Sequence, residues 1–232
     1  MTDRENAALS LFKKKKMVLI ASLPGNGVDL AKAAEAGGAD MLKVHINVVH
    51  AASGTRFGPF EEERPKIEAI LSAVKIPVSI MPGAAEKATL EEMRTLEKMG
   101  VSFYDIYASD MPAEYLTLGK MAAMAALGDG WRDFEPAAAS KLGVKMLEAS
   151  IVPHAGYGSP LALSDLLAYS YIASEFKGAV IVPTQKAIAP EQVAALHKAK
   201  VKGLMYGKIV AGDTPEGFEK AAARLGAAIA EL

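Results

Sequence analysis

The residues able to do chemistry sit at alternate positions of short apolar runs. Within 39–48, Leu42, Val44 and Ile46 alternate with Lys43, His45 and Asn47, so one face of an extended segment is aliphatic and the other polar. Packing of the aliphatic face on helices would turn Lys43, His45 and Asn47 toward the opposite side. A lysine held there needs a counter-charge, and its desolvation would lower its pKa toward a range useful for acid–base work. Within 144–152, Met146, Glu148 and Ser150 share one face while Lys145, Leu147 and Ala149 share the other. Glu148 inward would pair with Lys43; Lys145 inward would instead offer a Schiff-base amine. Asp105, between Phe103 and Tyr107, can face the same space as either a structural partner of Lys43 or a catalytic carboxyl.

A second group of residues has the chemistry of anion binding. Thr184, Gln185 and Lys186 follow one apolar run, and Gly207-Lys208-Ile-Val-Ala-Gly212 follows the next, ahead of Thr214-Pro215. The stretch between Gly207 and Gly212 is long enough for one short helix whose free N–H groups would hold a phosphate. The glycine-containing segment 50–59, with Arg56, reads as a lid. Segments 154–158 and 82–87 are weaker candidates for mobile loops.

Eight apolar runs, each followed by a helical pattern, must position these side chains. They are 17–23 with 29–36, 39–48 with 60–74, 77–81 with 89–99, 102–108 with 112–118, 121–127 with 134–142, 144–152 with 159–176, 179–182 with 190–200, and 202–207 with 215–232. Thr89 and Glu92 form a capping box, Ser159 is the expected cap of the sixth helix and Pro160 its first residue. Eight strictly alternating units in one domain, 1–232, predict an α/β fold of the (β/α)8 TIM-barrel type with eight parallel strands. An open doubly wound sheet fits less well. Gly25 and Gly27 lack the third glycine of a dinucleotide fingerprint, Leu30 standing in its place. In a barrel, the chemistry belongs at the C-terminal ends of the strands and on the loops that follow them, where these candidates fall.

Composition removes other classes. The 232-residue chain has no cysteine, so neither a disulfide framework nor a zinc–thiolate centre is available. With 26 Lys and Arg against 27 Asp and Glu, it carries no basic footprint for nucleic acid. The apolar run 17–24 is far shorter than the roughly 20 residues of a membrane span. Lys13 to Lys16 then read as a solvated entry to the first strand, and the expected location is cytoplasmic.

Two stretches resemble the ribulose-phosphate-binding barrel superfamily, which includes phosphosugar epimerases and decarboxylases and related barrels of histidine and tryptophan biosynthesis. Pro183 to Glu216 is similar to its phosphate site, and His45-Ile-Asn47 with Phe57-Gly-Pro59 looks like a run of the ribulose-phosphate 3-epimerases. Those epimerases hold a divalent metal through the histidine and an aspartate of this run, a histidine on the third strand and an aspartate on the seventh. Here Asn47, Ser79-Ile-Met81 and Val182-Pro183 stand in the acid and distal positions. The resemblance therefore implies a metal-free member without a cofactor. A metal on His45 with His50, Asp105 or His154 is the weaker case. Amino-sugar-phosphate 2-epimerases of the superfamily use a lysine and a glutamate as acid and base, roles that Lys43 and Glu148 would fill.

The leading expectation is an isomerase or epimerase moving a proton next to a carbonyl of a small phosphorylated sugar or sugar acid. Its phosphate would lie near Gly207, Lys208, Gln185 and Lys186, and His45 or Asn47 would donate to the enolate oxygen. The alternatives are a Schiff-base lyase on Lys43 or Lys145, and a barrel that binds phosphate esters without turnover. Leu161, Leu163, Leu166, Leu167, Tyr169, Tyr171 and Ile172 on the sixth helix suggest self-association.

Overall fold

The computed structural model describes residues 6–232. Among them, eight parallel strands close into a barrel in sequence order: β1 (Val18–Ser22), β2 (Met41–His45), β3 (Val78–Met81), β4 (Phe103–Tyr107), β5 (Ala122–Leu127), β6 (Met146–Ala149), β7 (Ala179–Pro183) and β8 (Gly203–Tyr206), which returns to pair with β1. The helices are α1 (Ala7–Lys14), α2 (Val28–Ala36), α3 (Phe60–Ala73), α4 (Leu90–Met99), α5 (Glu135–Lys141), α6 (Leu163–Glu175), α7 (Val193–Lys198), α8 (Lys208–Ala211) and α9 (Pro215–Ala230). The expected (β/α)8 architecture is the observed one.

Strand alternation divides the apolar side chains into two cores. Leu19, Leu42, Val44, Ile80, Tyr104, Leu147, Val182 and Leu204 face outward and are buried under the helices. Val18, Ile20, Met41, Phe103, Met124, Met146, Ile181 and Met205 fill the lower barrel interior. That filling leaves only the upper end of the barrel for polar side chains, which is where β2, β4 and β6 carry theirs.

Several local expectations need correction. The chain before β1 is a helix, α1, and not only a solvated lead-in. Asn6 caps it by accepting from the amides of Ala8 (3.0 Å) and Leu9 (3.3 Å), and its Nδ2 donates to the Ser102 and Lys120 carbonyls. Ala8, Leu9, Leu11 and Phe12 close the bottom of the barrel, and Lys13 and Lys14 sit in the last turn, where the helix dipole favours cations. The fourth unit has no α-helix: Pro112 leads only into the 3-10 turn Ala113–Thr117, whose buried Tyr115 packs edge-on against Tyr104. The sixth helix begins at Leu163 instead of Pro160. Asp165 accepts from the Ala162 amide at 2.8 Å, whereas Ser159 donates back to the Gly156 carbonyl at 2.7 Å and so belongs to the preceding loop. The Thr89–Glu92 capping box is formed, and the short helix after Gly207 is α8.

Segment 50–59 is the turn and return strand of a small antiparallel hairpin, Val48–Val49 with Arg56–Phe57, over the C-terminal mouth. Its root is held from below. Buried Glu63 accepts from Asn26 Nδ2 (3.0 Å), the Gly58 amide (3.3 Å) and Lys66 Nζ (2.9 Å), and Asn26 in turn bonds both the amide and the carbonyl of His45. Among the described residues no helix is long and apolar enough to cross a membrane.

Candidate active site

A cavity of about 210 Å3 opens at the C-terminal end of the barrel, under the hairpin. Its floor is an ion cluster from three strands. Lys43 of β2 donates to Asp105 of β4 and to Glu148 of β6, the latter at 3.0 Å. Relative exposures are 7%, 1% and 5%, so water does little to screen the group. Alternation in β6 points Glu148 inward with Met146 and Ser150. Lys145 is solvent-exposed on the outside of the barrel, which removes it as a Schiff-base residue.

Two carboxyls share one ammonium, and this sets their protonation. Burial disfavours a charged lysine, but the adjoining carboxylates outweigh it and hold Lys43 above its usual value, so Lys43 is a permanent cation and not the neutral base that desolvation alone would give. Burial, reinforced by the charge of Glu148, pushes Asp105 well above the usual carboxylate range. Burial works against ionised Glu148 as well, but Lys43 overrides it and keeps Glu148 below its usual value. The cluster therefore reads as Lys43 ammonium, Glu148 carboxylate and protonated Asp105. A hydrogen bond between the Asp105 and Glu148 carboxyls raises Asp105 and lowers Glu148, in line with this division.

Two histidines stand over this floor. His45, fully buried at the end of β2, lies with its ring 4.5 Å from that of His50 and 4.8 Å from that of Phe57; its Nε2 is 3.4 Å from Ser22 Oγ. It supports the wall from behind and does not line the cavity. His50 does line it, at the start of the hairpin loop, with Nδ1 2.9 Å from Ser53 Oγ. Burial, then the Lys43 charge, push His50 down to about 4, so its imidazole is neutral at neutral pH.

Asn47 departs from its expected place. Strand β2 ends at His45, Asn47 takes a left-handed φ of 54°, and its Nδ2 points at the Pro82 carbonyl, 3.3 Å away. It braces the chain into the hairpin and cannot donate to a reacting oxygen in the cavity. Arg56 is exposed on the outer hairpin strand. Lys186 also faces away: its Nζ bonds Ser159 Oγ at 2.9 Å and lies 3.6 Å from Asp165.

The opposite wall is a hydroxyl network. Tyr107 OH is 3.1 Å from Ser150 Oγ, and Gln185 Nε2 donates to Ser150 Oγ (2.8 Å) and Tyr157 OH (2.7 Å) while Gln185 Oε1 accepts from the Val152 amide. Gln185 thus fixes the loop after β6 with both ends of its amide. Thr184 lines the cavity and accepts from the Gly207 amide at 3.2 Å. Lys208 reaches over the mouth, its Nζ 3.5 Å from the Ser53 carbonyl and 3.0 Å from Asp213. The first amides of α8 have no carbonyl of their own helix to bond.

The cavity thus collects Lys43, Asp105, Glu148, Thr184, Gln185, Gly207 and Lys208 of the predicted residues. It adds Ser22, His50, Tyr107, Ser150 and Tyr157. Tyr107 and Ser150 lie two positions beyond Asp105 and Glu148, so the same alternation that places the acids places them. His50 and Tyr157 lie on loops, where no periodicity applies. Among the described residues no three His, Asp or Glu side chains gather where they could hold a metal ion.

No family model matches the chain, and no curated protein matches its sequence. Solved structures do match. Tryptophan synthase of Mycobacterium tuberculosis superposes with a TM-score of 0.76 at 14% identity over 95% of this chain and 96% of that one. A thiamine phosphate pyrophosphorylase from Pyrococcus furiosus gives 0.67 at 15% over 94% and 98%. A phosphoribosyl anthranilate isomerase from Thermus thermophilus gives 0.65 at 17% over 93% and 99%. At these identities the likeness is one of fold alone: this chain has the same closed (β/α)8 barrel as those structures.

Proposed function

We propose that this protein is an isomerase or epimerase that moves a proton at a carbon next to a carbonyl in a small phosphorylated sugar or sugar-like substrate. The observation that carries the reading is the Lys43–Asp105–Glu148 cluster at the base of a closed-bottomed cavity, where one buried cation lies between two buried acids that burial and Lys43 push in opposite directions. Glu148 is the base that removes the proton, and the Lys43 ammonium stabilises the enolate oxygen that develops. Protonated Asp105 returns a proton on the other side, and the neutral His50 imidazole can hold or relay one at the lid. Lys208 and the α8 amides are the anchor for the phosphate, which would displace the Lys208 contact to the Ser53 carbonyl. The phosphate-named relatives of the fold support that end of the reading without fixing it.

A Schiff-base reaction needs a neutral amine, and the Glu148 carboxylate with the Asp105 carboxyl beside it holds Lys43 charged, so the acid–base reading is preferred over the lyase. The test is deuterium incorporation from heavy water into a panel of ketose and aldose phosphates. Exchange that Glu148→Gln abolishes while phosphate-ester binding persists is expected. Binding without exchange in the unmodified protein would replace the proposal with a non-catalytic phosphate-ester barrel.

A further inference from the structure

The helical layer has a gap. Because the fourth unit has only the 3-10 turn Ala113–Thr117, no helix covers the outer face of β5 between that turn and α5. A groove of about 620 Å3 runs there from Ser109 and Trp131 down to Leu142, and a second hollow of about 220 Å3 shares Leu116 and Leu142 with it and continues to Asn6 and Lys145 at the other end of the barrel. The two together span β5 from one end to the other, the length of a barrel helix. Their floor is apolar, including Ala125, Leu127 and Val144.

Beside it, on the far side of α5, stands a helix that looks unfinished. Leu163, Leu167 and Tyr171 of α6 follow at i, i+4 and i+8 and are 70%, 63% and 43% exposed. Its 13 residues hold only two charged side chains, Asp165 and Glu175, and Asp165 is paired with Lys186. Of the seven large hydrophobic side chains exposed among the described residues, six lie on this flank: Leu116, Phe134 and Leu142 around the groove, and the three of α6. The ring of Tyr171 is 6.1 Å from that of Trp131, so groove and stripe form one continuous patch. A solvated monomer rarely exposes a patch of this kind.

We infer that this flank is the interface of a two-fold dimer, in which α6 of each copy fills the groove of the other. The chain itself supplies both halves of the match: a groove lacking one helix and one helix with an exposed apolar stripe. The charges agree. A docked α6 running as barrel helices do, from the C-terminal to the N-terminal ends of the strands, brings Glu175 and its negative C-terminal pole to Lys120 and Lys145 at the lower end. The size agrees as well, since the 20 residues lining the upper groove plus the α6 stripe fall within the roughly 20–30 residues a side of a standard interface. A two-fold pairing buries both copies of the patch at once and leaves no open edge.

The test is sedimentation equilibrium of the full chain at micromolar concentration, beside Leu167→Glu on the stripe and Leu142→Lys in the groove. Both side chains are exposed in the single chain, so each variant keeps its fold, which circular dichroism checks. A dimer for the unmodified chain, weakened at least about tenfold by either substitution, is expected. A monomer at these concentrations, or a dimer indifferent to both, overturns the inference. A dimer broken by Leu167→Glu but not by Leu142→Lys would mean that stripes pair with stripes, and overturns the groove assignment.

Discussion

Glu148 Oε2 lies 3.0 Å from Lys43 Nζ although 105 residues separate them in the chain, and Asp105 meets the same nitrogen from a third strand. One cation is shared by two acids inside a nearly dry barrel. Burial and the charge of Glu148 favour the protonated form of Asp105, so the excess acid is accommodated by holding a proton.

This sharing predicts an uneven set of stabilities. Replacing either acid by its amide leaves one balanced pair, so Asp105→Asn or Glu148→Gln alone is expected to lower stability little. Lys43→Met leaves two buried carboxyls without a cation and should lower it by about 3–5 kcal/mol, as should the paired substitution of both acids. Urea unfolding of the four variants checks this; equal losses in all of them would refute the shared-cation arrangement.

Acid should destabilise the fold earlier than its carboxylates alone would. His45 and His50 have pKa values lowered in the fold from 6.5, His45 well below and His50 to about 4. The unfolded chain then binds protons that the fold refuses, so the histidine contribution to stability is full above pH 6.5 and falls as pH drops below it, by up to about 1.4 kcal/mol per pH unit for His45 and less for the partly solvated His50; the proton held by buried Asp105 contributes with the opposite sign, and the two histidines together outweigh it. Melting curves from pH 7.5 to 4.5 should show this slope, and His50→Asn should flatten part of it.

Lys208 is the cation at the mouth that a phosphate can recruit. Lys208→Ala is expected to weaken phosphate esters about tenfold to a hundredfold while leaving the binding of unphosphorylated analogues unchanged. Calorimetric titration with matched pairs of ligands reads the difference. Equal weakening of both members of a pair would place the phosphate elsewhere.

At the junction of α2 and α9 the helices approach through Gly37. A Cβ there would lie 2.3 Å from the Glu219 carbonyl oxygen and 2.8 Å from Ala222 Cβ. Gly37→Ala should therefore lower stability by about 1–3 kcal/mol by forcing the two helices apart, measured by chemical denaturation with the cavity's ligand affinity as a control for distant damage.

By itself, the sequence determined the features set by period and spacing. Strand alternation put Lys43 on the inner face once helices were assumed outside but left Glu148 and Lys145 as alternatives in the sixth strand, and eight strand–helix alternations favoured a closed barrel over an open sheet. The glycines at 207 and 212 marked a short helix at the end of β8. The tertiary structure decided what depends on distance across the chain. Only barrel closure brings residues 43, 105 and 148 to one nitrogen, and only that shared charge turns Lys43 from a neutral amine into a cation. Asn47 lost its place because alternation holds only while the strand lasts, and φ turns positive two residues past its end. Lys186 and Arg56 were cations near the mouth in sequence but bond or point elsewhere, since a loop side chain goes to its best local partner. His50 was named only as a possible metal ligand, and its place in the cavity wall was decided by structure because loop positions have no period to read. The missing fourth helix shows the same limit: Tyr115, buried by contact with Tyr104 and accepting from its hydroxyl through the backbone carbonyl, anchors a 3-10 turn where Pro112 led the sequence reading to a helix.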